Sequence, residues 1–122
     1  MNIYNHKVKD AIKNEINEFA KNHSEICVEV LADVDLLYRA FVHIGNWVLG
    51  EIVMHERDFT PYDNVSIQFF DLREKENCPF FLWFDDENSS EQDVLFAIKE
   101  GLTKALSVPK GLCQRAGSVD TY

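Results

Sequence analysis

Apolar residues recur at helical spacing near the start of the chain. Val8, Ile12, Ile16 and Phe19 follow one another at intervals of four, four and three residues, and residues so spaced share one face of an α-helix. The pattern predicts a helix over residues 5–22. Its apolar stripe must pack on another element, because isolated helices of this length are marginal in water.

A second stripe of four apolar residues predicts another helix over residues 91–106: Val94, Ile98, Leu102 and Ala105. Two overlapping capping-box patterns mark its start, Ser89 with Gln92 and Ser90 with Asp93, in which side chains bond the free backbone N–H groups. Gly101 costs about 1 kcal/mol in a helix interior, which predicts close packing at that point.

Alternation of apolar and other residues predicts strands between the helices. Residues 25–31 and residues 65–72 alternate with the two-residue period of a half-buried strand. The segment Asp33-Val34-Asp35 follows the first of these strands and predicts a polar turn.

Residues 36–55 are the most ambiguous segment, because their Leu and Ala content is also compatible with one long helix. Gly45-Asn46 lies between two apolar runs, however, and a Gly-first pair is typical of a two-residue hairpin turn. We therefore predict a hairpin, in which Arg39 and Glu51 are diagonal neighbours close enough for a modest ion pair.

Residues 80–84 are apolar throughout. A strand that is apolar on both faces is typical of the centre of a sheet or of a contact with a partner. Trp83 lies on one face of this strand with Phe81. The other face carries three large apolar residues: Phe80, Leu82 and Phe84. One of the two faces is therefore a candidate surface for a partner.

The order of the elements predicts an α+β fold. An N-terminal helix, an antiparallel meander sheet of about five strands and a C-terminal helix form a two-layer sandwich when both helices cover one face of the sheet. The length of 122 residues fits one domain, which we assign to residues 1–108. Residues 109–122 are mostly small and polar and are predicted to form a flexible tail.

Acidic residues are concentrated in the middle of the sequence. The chain carries 21 Asp and Glu against 12 Lys and Arg, a net charge of −9, whereas residues 25–100 carry 17 acids and 5 bases, a net of −12. Such a field repels nucleic-acid phosphates and anionic membranes and attracts a basic protein. A surface that is acidic only for solubility remains the alternative.

Cysteine usage and the N-terminus favour the cytoplasm. The chain has three cysteines that are far apart in sequence: Cys27, Cys78 and Cys113. The odd number and the wide spacing argue against a disulfide framework and for a reducing compartment. Residues 1–10 are polar and lack the apolar core of a signal peptide. The sequence also lacks the apolar run of about 18 residues that spans a bilayer.

No sequence motif indicates an enzyme, a metal site or a cofactor. The histidines form no zinc-ligand spacing, and neither a nucleophile elbow nor a phosphate-binding glycine loop is present. Two groups of carboxylates are notable instead: Asp33 with Asp35, and Asp85-Asp86-Glu87 with Glu91 and Asp93. They are compatible with solvated turns and a helix N-terminus, with protein binding, or with magnesium or acid–base chemistry.

An aromatic strand, PFFLWFDDENSS, leads directly into the helix EQDVLFAIKEGLTKAL. With the amphipathic first helix and the acidic middle, this layout over residues 1–108 resembles small bacterial immunity proteins of contact-dependent growth inhibition and related polymorphic toxin systems. The resemblance implies a cytoplasmic protein, without a cofactor or catalytic activity. Such a protein binds the toxin domain of a sibling cell, often a basic nuclease, and blocks its active site.

The predicted contacts with a basic toxin are acidic residues around an aromatic anchor: Asp33, Asp35, Trp83, Asp85, Asp86, Glu87 and Glu91. Two other functions stay open. An acidic secretion chaperone would hold an effector segment on exposed apolar patches and typically dimerise. An enzyme of unrecognised type would show a deep pocket with convergent titratable groups.

Overall fold

The helices and strands follow the predicted order. The computed structural model describes residues 3–56, 64–76 and 78–109. Its elements are α1 (His6–Asn22), β1 (Ile26–Val34), β2 (Leu37–Ile44), β3 (Val48–Met54), β4 (Val65–Asp71), β5 (Phe81–Phe84) and α2 (Glu91–Leu106). The tail predicted over residues 109–122 lies outside the described residues, apart from Pro109.

The five strands form one antiparallel meander in the order β1-β2-β3-β4-β5. On one side of the sheet, α1 contacts β1, and α2 contacts β4, β5 and α1. The buried apolar residues lie between the helices and this side of the sheet and form one core cluster. This is the two-layer α+β sandwich that the sequence predicts.

Both helices begin after a residue whose side chain caps the first turn. The side chain of Asn5 accepts a hydrogen bond from the backbone N–H of Val8 at 2.9 Å and caps α1. At the start of α2, Ser90 and Asp93 each accept a backbone hydrogen bond from the other, so the second of the two predicted capping boxes is the one that forms.

Gly101 lies where α2 packs on the sheet. A Cβ atom at this position would lie 2.9 Å from the rings of both Phe69 and Phe81, which is closer than carbon atoms pack in protein interiors. Phe69 is fully buried, so its ring has neighbours on every side. The close approach of helix and sheet explains a glycine that is unfavourable for the helix itself.

The turn between β2 and β3 is one residue longer than predicted. It consists of Gly45, Asn46 and Trp47, and Ile44 pairs with Val48 across it. Gly45 has a φ of +57°, a left-handed conformation that favours glycine. The ring of Trp47 occupies the space that a side chain at Gly45 would need.

The third turn residue places the apolar faces of β2 and β3 on the same side of the sheet. A two-residue turn would put Ala40 opposite Glu51, whereas the observed turn puts it opposite Ile52, and both apolar residues are fully buried. A one-residue change in register would turn every side chain of a strand to the other face. The predicted ion pair is present, with 2.7 Å between Arg39 Nη2 and Glu51 Oε2.

β1 extends further than predicted and contains a β-bulge. Its pairing with β2 shifts by one residue between Val30 and Ala32, so Leu31 is the extra residue. The shift places Asp33 opposite Tyr38, on the helix side of the sheet. Asp33 therefore belongs to the strand rather than to the polar turn that was predicted for it.

β5 is an edge strand, so the first of the two positions expected for this apolar run, the centre of a sheet, is wrong. Within the described residues it pairs with β4 alone, because a meander adds each strand beside the previous one and its last strand ends at an edge. Phe81 is buried and Trp83 half-buried against the core, whereas Leu82 and Phe84 are 51% and 46% exposed. The apolar run supplies the core with one face, and among the described residues no helix or strand packs on the other face.

Candidate protein-binding surface

The sheet face that points away from both helices carries an apolar surface, which we term the open face. Its apolar residues include the exposed Val34 and Leu37 beside the β1–β2 turn. Further along the sheet are Phe41, Leu49, Val53, Phe70, Leu82 and Phe84. The side chains of Phe41, Leu49, Val53 and Phe70 are partly covered by their neighbours, whereas at the β5 edge Leu82 and Phe84 are exposed. We term these last two residues the β5 patch.

Two charged pairs lie among the apolar residues of the open face. Arg39 binds Glu51, and its guanidinium group lies 5.6 Å from the centre of the Phe41 ring, a cation–π distance. His43 Nε2 lies 3.0 Å from Glu29 Oε1. Both carboxylates of this face are therefore matched by a local partner, and the open face is less acidic than the chain as a whole.

Acidic residues from three parts of the chain lie at one end of the sheet. In an antiparallel meander the odd-numbered strands run in the same direction, so the residues that end or follow β1, β3 and β5 meet at one end. These residues and the first residue of α2 define the acidic end: Asp33, Asp35, Glu56, Asp85, Asp86, Glu87 and Glu91. At the usual strand spacing, β1 and β5 are about 19 Å apart.

Tyr4 lies near two of these carboxylates. The pKa of its phenol is raised, first by burial and then by the negative charges of Glu56 and Asp35, because ionisation would create a third negative charge beside them. Glu56 follows β3 and was not among the predicted contacts. Its position after the third strand of a predicted meander was the signal that would have placed it at the same end of the sheet as Asp35.

Asp33 is neutralised within the protein. Its Oδ1 lies 2.6 Å from Lys9 Nζ and its Oδ2 lies 2.6 Å from Lys13 Nζ. Hydrogen bonds from Lys13 and then Lys9 hold the pKa of Asp33 below its ordinary value. The predicted carboxylate pair therefore divides, since Asp33 is paired with two lysines of α1, whereas no cation of the described residues forms an ion pair with Asp35.

The acidic turn after β5 divides in the same way. Asp85 is only 3% exposed, and its Oδ1 accepts a hydrogen bond from the backbone N–H of Val65 at 2.7 Å. Asp86 accepts one from the N–H of Asn88 at 2.8 Å, which fixes the turn, and both Asp86 and Glu87 are exposed. Asp85 has an internal role, whereas Asp86 and Glu87 offer surface for the predicted contact.

Glu91 and Trp83 are the remaining predicted contacts. Glu91 Oε1 lies 3.7 Å from Nζ of Lys7, whose side chain is 84% exposed, so solvent screens the pair. Trp83 lies opposite Ile67 and packs against the core. Its neighbours in the β5 patch, and not Trp83 itself, point away from the helices.

The described residues contain no group of three or more His, Cys, Asp or Glu side chains that could hold a metal ion. In the same ranges, no helix is both long enough and apolar enough to cross a membrane. A cavity of about 540 Å³ lies beyond the end of β4 and is lined by Arg73, Glu74, Lys75, Glu76 and Cys78. Most of these side chains are exposed, so this cavity is a surface depression.

No protein-family model, no curated protein and no solved structure matches this chain. The open face and the acidic end are therefore the features from which we infer function. Apolar side chains beside exposed charges are typical of a surface that binds another protein.

Proposed function

We propose that this protein is an immunity protein that binds and neutralises a basic toxin domain, as its resemblance to such proteins implies. The acidic end is the observation that supports the proposal best, because Asp35, Glu56, Asp86 and Glu87 are all exposed there. Concentrated negative charge attracts a cationic partner and speeds the encounter. A basic nuclease has the complementary charge, since it must bind phosphates.

The lysines of α1 neutralise only part of the acidic end. They pair with Asp33 and Glu91. Among the described residues, no cation forms an ion pair with Asp35, Glu56 or Glu87. Salt screens exposed charges over a distance of about 8 Å at physiological ionic strength. A carboxylate without an ion-pair partner therefore still attracts a cationic protein that comes within that distance.

Under this proposal the protein acts in the cytoplasm and blocks the toxin by covering it, with neither a cofactor nor a catalytic step. Cys27 and Cys78 are free and exposed, a state that persists in a reducing compartment. The charged contacts that remain available are Asp35, Glu56, Asp86, Glu87 and, in part, Glu91.

The first test uses the neighbouring gene. An immunity gene lies directly downstream of its toxin gene, so the probe is the C-terminal domain encoded by the gene immediately upstream. Production of that domain in a bacterium should stop growth, and co-production of this protein should restore it. Growth arrest that this protein fails to relieve would contradict the proposal.

The second test measures the association rate of the two purified proteins. The triple variant Asp35→Asn, Glu56→Gln, Glu87→Gln should lower that rate roughly tenfold at low salt and weaken its salt dependence. The matched control removes three exposed carboxylates away from the acidic end: Glu18→Gln, Glu25→Gln and Glu76→Gln. Equal effects of the two triple variants would show that net charge matters and the acidic end does not.

An acidic secretion chaperone is the second candidate function, and the open face favours it. Leu82 and Phe84 expose apolar surface of the kind that holds an unfolded segment. A chaperone of this type is typically a dimer, and its gene lies beside that of a secreted effector. Sedimentation equilibrium and the neighbouring gene separate the two functions, because a monomer encoded beside a toxin fits only the first.

A further inference from the structure

The β5 patch is one of two exposed apolar parts of the open face. The other is Val34 and Leu37 beside the β1–β2 turn, which are 59% and 37% exposed. Leu82 is 51% and Phe84 is 46% exposed, whereas Phe41 and Phe70 are half-buried. Each Å² of apolar surface that a partner removes from water contributes about 25 cal/mol. A partner that covers the β5 patch therefore gains free energy from the exposed apolar surface of both side chains.

The residues that flank the β5 patch hold it in place. The ring of Phe81 packs edge-on against Phe69, with 6.4 Å between the ring centres, and it also packs on α2 at Gly101. After the strand, the carboxylate of Asp85 binds the backbone N–H of Val65. A surface that is ordered before binding loses little conformational entropy when the complex forms.

The β5 patch and part of the acidic end belong to one short segment. Phe84 precedes the exposed residues Asp86 and Glu87 by two and three positions, and the hydrogen bond from Asn88 fixes Asp86. A partner that covers this segment meets apolar side chains and carboxylates together. The complementary surface is a large apolar side chain that is flanked by lysine or arginine.

We propose that the β5 patch is the apolar anchor of the toxin interface, and that the toxin covers it with a large apolar side chain flanked by Lys or Arg. This inference rests on the proposed function, and it assigns the anchor to Leu82 and Phe84 in place of Trp83. The acidic end then sets the rate of encounter, and the anchor sets the lifetime of the complex. Tight interfaces commonly combine a few apolar anchors with a charged rim.

The experiment measures the dissociation rate of the complex with the toxin domain encoded upstream. Leu82→Ser and Phe84→Ser should each raise that rate roughly thirtyfold, the ratio that corresponds to the loss of a hot-spot residue, with little change in the association rate. Phe96→Ser is the matched control, because Phe96 is 68% exposed on α2. It should change neither rate.

The possible results separate the inference from the function on which it rests. Wild-type protein that does not bind the toxin domain overturns the proposed function and the inference with it. A complex that both patch variants leave unchanged overturns the inference alone. A dimer of this protein that the patch variants dissociate also overturns it, because a second copy then covers the patch. Where thermal unfolding shows that Phe84→Ser is unstable, the more exposed Leu82→Ser decides.

Discussion

The ammonium group of Lys9 lies 2.6 Å from the carboxylate of Asp33, although only 7% of the Lys9 side chain is exposed. The pair joins α1 to the end of β1, and Lys9 also donates a hydrogen bond to the backbone carbonyl of Asp35. A buried ammonium group that loses its carboxylate is costly, whereas an apolar side chain of similar length suits a buried position.

We therefore expect Asp33→Ala to destabilise the protein more than Lys9→Met does. Lys9→Met removes the buried charge and leaves Asp33 paired with Lys13, so its stability should stay within about 1 kcal/mol of the wild type. Thermal unfolding of the two variants measures the order. If Lys9→Met were the more destabilising variant, the ion pair and hydrogen bond of the Lys9 ammonium group would contribute more to stability than its burial costs.

The fold should lose stability in acid because two carboxyl pKa values are lowered. Lys13 and Lys9 lower the pKa of Asp33, and Arg73 lowers that of Asp71. A group whose pKa falls on folding binds its proton less readily in the folded state. Its stabilisation is complete above the ordinary carboxyl value of 3.8 and is lost as the pH falls through that value towards the folded-state pKa.

Urea unfolding at about pH 6 and about pH 3 tests this expectation. The urea midpoint of the wild type should be lower at the acidic pH. It should fall less for Asp71→Asn, because the amide does not titrate and this variant has no negative charge next to Arg73 to lose. Asp10→Asn, an exposed position of α1, is the control and should behave as the wild type. An equal fall for wild type and Asp71→Asn would contradict the role given to the Arg73 pair.

Asp85 is expected to stabilise the sheet without contacting the partner. Asp85→Ala removes the acceptor of the buried Val65 N–H and should cost about 1–3 kcal/mol, whereas Asp85→Asn keeps an oxygen acceptor and should cost less. Glu87→Ala should show the opposite behaviour, with unchanged stability and slower association with the toxin domain. Chemical unfolding and binding kinetics measure both, and an Asp85→Ala variant of wild-type stability would contradict the internal role.

Gly101→Ala should destabilise the protein although alanine favours helices. The gain in helix propensity is about 1 kcal/mol, but the new methyl group must displace the rings of Phe69 and Phe81, and overpacking costs about 1–3 kcal/mol. Thr103→Ala, at an exposed position of the same helix, gains propensity without a clash and should be neutral or stabilising. A Gly101→Ala variant more stable than wild type would show that the rings of Phe69 and Phe81 move aside at little cost.

Elements that bury one face were predictable from periodicity alone. The stripes of α1 and α2 and the alternation of β4 reflect one-sided burial, and their observed bounds are close to the predicted ones. The length of the β2–β3 turn was deducible only by aligning the apolar faces, since Ala40 must share a side with Ile52. The edge position of β5 depends on strand order, which an apolar run does not contain.

The acidic residues were identifiable from composition, but their individual roles depend on contacts between distant segments. Asp33 reaches Lys9 because a bulge turns it to the helix side, and strict alternation would have put it on the open face. Asp85 differs from Asp86 in burial, although the two are adjacent in sequence. Glu56 joins the acidic end only through the path of the meander, so no local pattern marks it.

The extra residue of β1 also affects how the protein meets other polypeptides. β1 is an edge strand of nine residues, and Leu31 interrupts its regular ladder. A chain without Leu31 would keep Ala32 and Asp33 opposite their present partners, but it would offer a straight and largely apolar strand to solvent. An uninterrupted edge strand is a template for intermolecular pairing, and a β-bulge is one of the features by which proteins discourage it.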